Sequence, residues 1–98
     1  MFHHVVMFRF ADPAHPPEAA RLLRSMVGRV DVIRRLDVRL NTLPDVGNVD
    51  LLLHVTVDDP DDYATYDTDP FHVSVKQALG AMLRQGEGEF RWAVDYED

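Results

Sequence analysis

The stretch VDLLLHVTV, residues 49–57, constrains the fold more than any other part of the chain. It is a nearly continuous apolar run of strand length, and such runs are typical of strands that are covered on both faces. We therefore expect it at the centre of a β-sheet. A chain of 98 residues has a modest core, so a partner subunit is expected to add much of the burial.

Three further stretches alternate in polarity with the period of two that is typical of strands. They are residues 2–10, residues 36–43 and residues 89–97. The first of them is largely apolar on both sides of the alternation. Together with residues 49–57, these stretches predict four strands.

Apolar residues at helical spacing predict a first amphipathic helix between the first two strands. The apolar stripe spans residues 19–27, Pro17 and Glu18 lie in the first turn, and Gly28 is a plausible end or kink.

A second amphipathic helix is predicted before the last strand. Its apolar stripe spans residues 75–83, it begins at Pro70, and Gly86 and Gly88 close it. The Asp-rich segment that precedes it, residues 58–69, is expected to form a short helical turn. Its acids are interpreted as helix caps and solvated surface rather than as a metal site.

The element order is therefore β-α-β-β-α-β, which is the ferredoxin-like α+β arrangement of a four-stranded antiparallel sheet with helices on one face. We expect residues 1–98 to form a single domain. Because helices on one side leave the other apolar sheet face uncovered, that face is predicted to pair with a second copy. The prediction is a homodimer with the two sheets packed face to face.

Composition excludes several classes of partner. The net charge is −7 and the ten cationic side chains are dispersed, which argues against nucleic acid and anionic membrane surfaces. No apolar window approaches the roughly 18 residues of a membrane span. The chain has no cysteine, so thiolate chemistry and Cys-based metal sites are excluded. A cytoplasmic location is the default expectation.

Sequence motifs for nucleotide, zinc-protease and serine-hydrolase chemistry do not occur. His3 and His4 are adjacent on a strand and point to opposite faces, so they cannot chelate one metal together. We expect neither a metal nor another cofactor, which leaves cofactor-free chemistry or simple binding.

The residues that suggest chemistry cluster around YDTDPFH, residues 66–72. His72 lies three residues before Val75 and Phe71 four before it, so both belong to the stripe that faces the sheet. A histidine in the first turn of a helix has a lowered pKa, because the helix dipole disfavours its charged form. A neutral imidazole pointing inward is a competent general base.

Two further side chains are candidates for the same site. The phenol of Tyr66 is placed to fold back towards His72, and Asp95 on the last strand is a candidate to orient an imidazole. Structural roles remain open for all three residues. An inward histidine at a helix start is more often a core residue bonded to a carbonyl than a catalyst, Tyr66 is also interpreted as a rim aromatic, and Asp95 as a strand-end acid. His54 is predicted to face the subunit interface.

The chain resembles the stress-responsive A/B barrel domain family of the dimeric α+β barrel superfamily. The resemblance is carried by HHVVMFRF, VDLLLHVTVDD, YATYDTDPFH and AVDYE, which are similar to the opening strand, the third strand, a Tyr-x-x-His-Pro-x-His segment and the closing strand. It implies the fold and a dimer. Superfamily members include polyketide cyclases, cofactor-independent monooxygenases, haem proteins and stress-linked plant proteins.

Similarity to the family's plant polyketide cyclases implies residue roles. Tyr66 and His72 match the tyrosine and final histidine that promote an intramolecular aldol closure, while His4 and Asp95 fall on cavity positions. His72 would then remove a proton next to a carbonyl, Tyr66 would hold the oxyanion and Asp95 would steer the imidazole.

Two departures from that pattern change the local chemistry. Asp69 replaces the first histidine of the motif, and Leu51 stands where the cyclases have a cavity histidine. We expect His4, Leu51 and Phe71 to line the ligand pocket.

Three functions stay open from the sequence. The first is a cofactor-independent, cyclase-like enzyme that acts on a small keto or aromatic metabolite through His72 and Tyr66. The second is a dimer that binds a small molecule without turnover. The third, less favoured, is a haem or monooxygenase-type protein.

Overall fold

The computed structural model describes residues 1–83 and 90–98. Its elements are β1 (Phe2–Phe8), α1 (His15–Arg24), β2 (Arg35–Leu40), β3 (Leu51–Val57), α2 (Pro60–Thr68), α3 (Pro70–Gly80) and β4 (Arg91–Glu97). The strands form one antiparallel sheet in the order β2-β3-β1-β4. The predicted ferredoxin-like α+β fold is confirmed, with β3 and β1 at the centre of the sheet.

The strand register decides which side chains share a face. His4 of β1 lies opposite Val55 of β3 on one side and opposite Asp95 of β4 on the other. Residues of even number on β1 therefore face the same way as residues of odd number on β3 and β4. This face carries the helices, and its central side chains are buried.

The core lies between the helix layer and this face of the sheet. Val6, Leu53 and Val55 contribute the sheet side, and Ala19 and Leu23 of α1 contribute the helix side. Small alanines allow α1 to approach the sheet closely. The core continues past His72 at the start of α3, where this polar side chain is buried as well.

Helix α1 is shorter than the apolar stripe predicts. It ends at Arg24, and the chain then turns through Gly28, whose φ of +83° is a left-handed conformation that glycine adopts without strain. Met26 is still buried after the helix ends, but Val27 is exposed. The apolar stripe predicted too long a helix, because its residue Met26 reaches the core from the turn that follows α1.

The Asp-rich segment forms more structure than predicted. Instead of a short turn it contains the nine-residue helix α2, whose N-terminus is capped by Asp59 accepting from the backbone N–H of Asp62 at 2.9 Å. The predicted start of α3 at Pro70 is observed. The helix ends at Gly80, before Leu83, and the predicted closing residues Gly86 and Gly88 lie outside the described residues.

The other face of the sheet has no helix over it among the described residues. It presents an apolar band, and Val94 is 53% exposed there. The apolar band of this open face consists of Val5, Met7, Leu52, Trp92, Val94 and Tyr96, and the register also places His3, His54, Thr56, Arg35, Asp37 and Arg39 on this face. His54 shares a 2.9 Å hydrogen bond with His3 on this face, the side predicted from its strand parity.

None of the described helices is long and apolar enough to cross a membrane.

Candidate functional site

A cavity of about 230 Å³ lies between the sheet and α3. Its lining combines an aliphatic wall with titratable groups at one end. The lining residues are His4, Val6, Phe8, Leu23, Leu53, Tyr63, Tyr66, Asp67, His72, Val75, Lys76, Leu79, Gly80, Leu83 and Arg91. Small-molecule sites have this character, with apolar walls and a few polar groups that converge.

Two larger hollows of about 570 and 580 Å³ lie around Arg9 and Asn41. Among their described lining residues there is neither an imidazole nor a phenol. The smaller cavity is therefore the one that is lined by imidazole and phenol groups, although the other two have larger volumes.

His72 is nearly buried at the start of α3. Its backbone N–H donates to the side chain of Asp69 at 3.3 Å, and its ring Nδ1 lies 3.1 Å from the backbone carbonyl oxygen of Asp67. A carbonyl only accepts hydrogen bonds, so Nδ1 carries the proton. In the neutral ring, Nε2 is then the unprotonated nitrogen.

The environment of His72 favours the neutral ring. Burial lowers the pKa of His72, and the positive charge of Lys76 lowers it further, while the hydrogen bond to the Asp67 carbonyl acts in the opposite direction. Desolvation is the largest of these effects because it penalises only the charged imidazolium. His72 is therefore a hydrogen-bond acceptor at Nε2 at neutral pH.

Tyr66 lies against His72, with ring centroids 4.1 Å apart. It is only 1% exposed, and burial raises the pKa of its phenol above the ordinary value. The phenol therefore stays protonated and can donate. Within residues 1–83 and 90–98, its hydroxyl has no hydrogen-bond partner, while every fully buried polar side-chain atom has one. We infer that the hydroxyl faces the cavity.

Asp95 binds a different imidazole from the one that the resemblance implied. His4 Nδ1 donates to Asp95 Oδ1 at 2.5 Å, across the pairing of β1 with β4. Among the described residues, no hydrogen bond joins Asp95 to His72. The expected steering of His72 by Asp95 is therefore wrong, because β4 places this carboxylate beside His4, and the Asp67 carbonyl orients His72 instead.

Two of the expected pocket residues do not line the cavity. Leu51 is buried opposite Phe8 and lines one of the two larger hollows instead. Phe71 packs beneath the guanidinium of Arg29, at 5.0 Å from its ring centroid. The third expected pocket residue, His4, does line the cavity.

Sequence reasoning missed several lining residues. Tyr63 packs against the ring of His4 with centroids 5.0 Å apart, and burial raises the pKa of its phenol. Lys76 and Arg91 also line the cavity. The spacing of Lys76 four residues after His72 was a usable signal, whereas Arg91 required knowledge of the β1–β4 register.

The site thus combines a neutral imidazole acceptor, a phenol donor and a second imidazole held by a carboxylate. This set can remove, hold and return a proton. In the described part of the chain, no group of three or more His, Cys, Asp or Glu side chains could hold a metal ion.

The chain is similar to one known protein family. The model of the family described as the stress responsive A/B barrel domain matches residues 2–98. No curated protein sequence matches the chain significantly.

Solved structures with a similar fold include several dimers. A dimeric protein of unknown function with a ferredoxin-like fold from Bacteroides fragilis has a TM-score of 0.81 at 25% identity, with 99% of this chain and 95% of that chain covered. A dimeric ferredoxin-like protein of unknown function from Thermobifida fusca has a TM-score of 0.80 at 19% identity, covering 97% and 88%.

A protein described as an antibiotic biosynthesis monooxygenase is also similar in fold, with a TM-score of 0.75 at 13% identity and coverage of 100% and 98%.

Proposed function

The chain belongs to the stress responsive A/B barrel domain family, and from its cavity we propose that it is a cofactor-independent enzyme. It transfers a proton at a carbon next to a carbonyl of a small molecule, in the manner of a polyketide cyclase. The observation that carries this proposal is the hydrogen bond from His72 Nδ1 to the Asp67 carbonyl, at 3.1 Å. It leaves Nε2 unprotonated beside a phenol that can donate.

In the proposed step, His72 Nε2 takes a proton from the carbon next to the carbonyl. The electron pair of the C–H bond forms the C=C bond of an enolate, and the carbonyl π pair moves to the oxygen. The Tyr66 hydroxyl donates a hydrogen bond to that oxygen and stabilises its negative charge. The raised pKa of Tyr66 keeps its proton on the phenol, so it acts as a donor.

The enolate then has two possible outcomes. It takes back a proton from His72, which exchanges the hydrogen, or its carbon attacks a second carbonyl of the same molecule. The second course forms one C–C bond and leaves an alkoxide that takes up the proton, so atoms and charge balance without an oxidant. The imidazolium of His72 returns the proton that it took, and His4, held by Asp95 at 2.5 Å, is a second polar group that can contact the substrate.

We also propose that two copies associate through the open face of the sheet. Apolar bands of this kind are normally covered in a subunit interface. The dimeric relatives from Bacteroides fragilis and Thermobifida fusca support this assignment. The cavity lies on the opposite side of the sheet, so each subunit carries its own site.

Hydrogen exchange tests the proposal without knowledge of the natural substrate. Pentan-2-one is incubated with the protein in D₂O, and loss of its α-hydrogen signals is followed by NMR. We expect catalysed exchange that falls by about 100-fold or more in His72→Phe, because general-base catalysis typically contributes that much. Exchange at the protein-free rate, or full activity in His72→Phe, would refute the proposed role.

Binding without turnover is the second candidate function. One observation favours it: among the described residues, no hydrogen bond joins Tyr66 to His72, whose rings are tilted against one another with centroids 4.1 Å apart. Such a pair can bind a carbonyl ligand without moving a proton. Ligand-induced shifts of the His72 ring signals without any exchange would support this function.

A further inference from the structure

Two cationic side chains lie at the mouth of the cavity. Lys76 follows His72 by one turn of α3, and Arg91 begins β4 opposite Phe8. The helix side of β4 is exposed at Arg91, Ala93 and Asp95, so the described helices do not extend over this strand. Within the described part of the chain, the helices therefore leave the cavity open between α3 and β4, with one cation on each side.

The partners of these cations leave them available to a ligand. Lys76 Nζ lies 3.9 Å from Asp67 Oδ1, and both side chains are exposed. A long, solvated pair of this kind contributes little energy and exchanges partners readily. Arg91 forms no ion pair with any described residue. Of the acids described on β4, Asp95 shares the helix side with Arg91, and it is already bound to His4.

The cations act on groups inside the cavity as well. The positive charge of Arg91 lowers the pKa of Tyr66 against the larger effect of burial, and that of Lys76 lowers the pKa of His72. Both side chains are therefore electrostatically coupled to the two proton-transfer groups. Because the chain as a whole carries a net charge of −7, attraction for an anion must come from these local cations.

We propose that Lys76 and Arg91 form an anion subsite, and that the cavity takes small oxo acids with the carboxylate at this subsite. The inference rests on the proposed function for the identity of the reacting carbon. His72 and Lys76 are four residues apart, about 6 Å along the helix. A carboxylate at Lys76 therefore places the carbon between it and a 3-oxo group next to His72, and the apolar tail packs against Leu53 and Leu79.

Two isosteric probes test the subsite independently of catalysis. Hexanoate and hexanamide have the same shape and differ in charge, and neither has a ketone carbonyl for the proton-transfer step. Each is titrated into the protein while the ring signals of His72 and His4 are followed by NMR. We expect hexanoate to bind about fivefold more tightly than hexanamide, and the difference to shrink at high salt.

Variants assign this preference to the two cations. Lys76→Gln combined with Arg91→Gln should bind the two probes equally, and each single variant should lose part of the preference. The charge-conserving pair Lys76→Arg with Arg91→Lys should retain it. Arg21→Gln is the matched control, because Arg21 is an exposed cation of α1 that does not line the cavity.

Three results would overturn the inference: equal binding of the probes to the parent protein, a preference that survives in the Gln double variant, or no binding of either probe. These outcomes can be distinguished from the result that would refute the proposed catalysis. A hexanoate preference without α-hydrogen exchange would retain the anion subsite and reject the catalysis. α-Hydrogen exchange without a preference for hexanoate would retain the catalysis and reject the anion subsite.

Discussion

At the scale of single residues, His72 and His4 illustrate how identical side chains receive different tasks from their neighbours. The Nδ1 proton of His72 is bound by a backbone carbonyl, whereas that of His4 is bound by the carboxylate of Asp95. A carboxylate stabilises an imidazolium and a neutral carbonyl does so less. The pair is therefore divided by the charge of the bonded partner, and His72, whose partner is neutral, is the proposed base.

This division predicts a pH dependence of α-hydrogen exchange. The pKa of His72 is lowered from the ordinary value of 6.5, so the base form is already dominant at neutral pH. Activity should rise with pH through a midpoint below 6.5 and be flat above it. Exchange rates measured from pH 4.5 to 8 provide the profile. A midpoint at or above the ordinary histidine value would contradict the account.

Stability should depend on the same titration. Because the folded pKa of His72 lies below the unfolded value, the unfolded chain binds the extra proton more tightly. The stability that the neutral ring contributes is present above pH 6.5 and is lost as pH falls from there to the folded pKa. Urea denaturation at several pH values should show a slope over this window that His72→Phe reduces. An unchanged slope in the variant would contradict the prediction.

Asp95 offers a third residue-scale prediction. Replacement by Asn keeps a hydrogen-bond acceptor for His4 but removes the charge that strengthens the bond, so the ring of His4 is held less firmly. We expect Asp95→Asn to slow exchange by about tenfold, less than His72→Phe does. The matched control is Asp98→Asn, since Asp98 accepts a hydrogen bond from His3 on the open face of the sheet. Equal effects of both variants would show that the loss is not specific to the cavity.

At the scale of secondary-structure elements, a helix cap positions the base. Asp69 Oδ1 accepts from the backbone N–H groups of Phe71 and His72, at 2.8 and 3.3 Å. The residue that replaces the family's histidine therefore fixes the first turn of α3. Without it, the turn frays and the ring of His72 loses its orientation.

The effect of this cap can be measured against a conservative change. Asp69→Ala should destabilise the fold by about 1 kcal/mol and slow exchange, whereas Asp69→Asn or Asp69→Ser should preserve most of the cap. Urea denaturation gives the stability of each variant. If Ala and Asn were equally tolerated in both stability and exchange, the cap would have no role in the site.

The order of strands and helices was predictable because the spacing of apolar residues along the chain depends directly on which side chains are buried. The alternation in β1 and the apolar run of β3 identified the sheet, and the stripe of α3 placed His72 inward. The ends of elements were less predictable. Arg24 ends α1 although Met26 is still buried, since a turn can present a core residue without helical hydrogen bonds. Helix α2 was underestimated because its many aspartates have low helix propensity, which Asp59 and Pro60 offset at the N-terminus.

Contacts between elements could not be predicted in the same way. Asp95 was named from the sequence, but its partner depends on the register of β4 against β1, which the alternation alone does not determine. The same register places Arg91 beside Phe8 at the mouth. The residues of the site were therefore partly identifiable from the sequence, while their pairing required the fold.

At the scale of the whole molecule, the sheet separates chemistry from association. Its helix side carries the cavity, and its open face carries the apolar band. A two-layer chain of this size buries a limited fraction of its surface, so an additional covered face contributes substantially to stability. Substitutions on the open face should therefore alter the proposed association without changing the cavity.

A single exposed position tests the assembly. Val94→Asp places a charge in the apolar band of the open face, on the edge strand β4, and should shift the protein from dimer to monomer in sedimentation experiments. Val46→Asp is the matched control, because Val46 is 99% exposed in the connection between β2 and β3. A dimer that persists in Val94→Asp, or a monomeric parent protein, would contradict the proposed interface.

The most direct test of the central claim is the ¹⁵N NMR spectrum of the His72 ring as a function of pH. The account predicts a neutral ring protonated at Nδ1, with Nε2 showing the shift of an unprotonated nitrogen, and a pKa below the ordinary 6.5. A ring protonated at Nε2, or one that titrates at or above 6.5, would remove the base from the cavity and contradict the account.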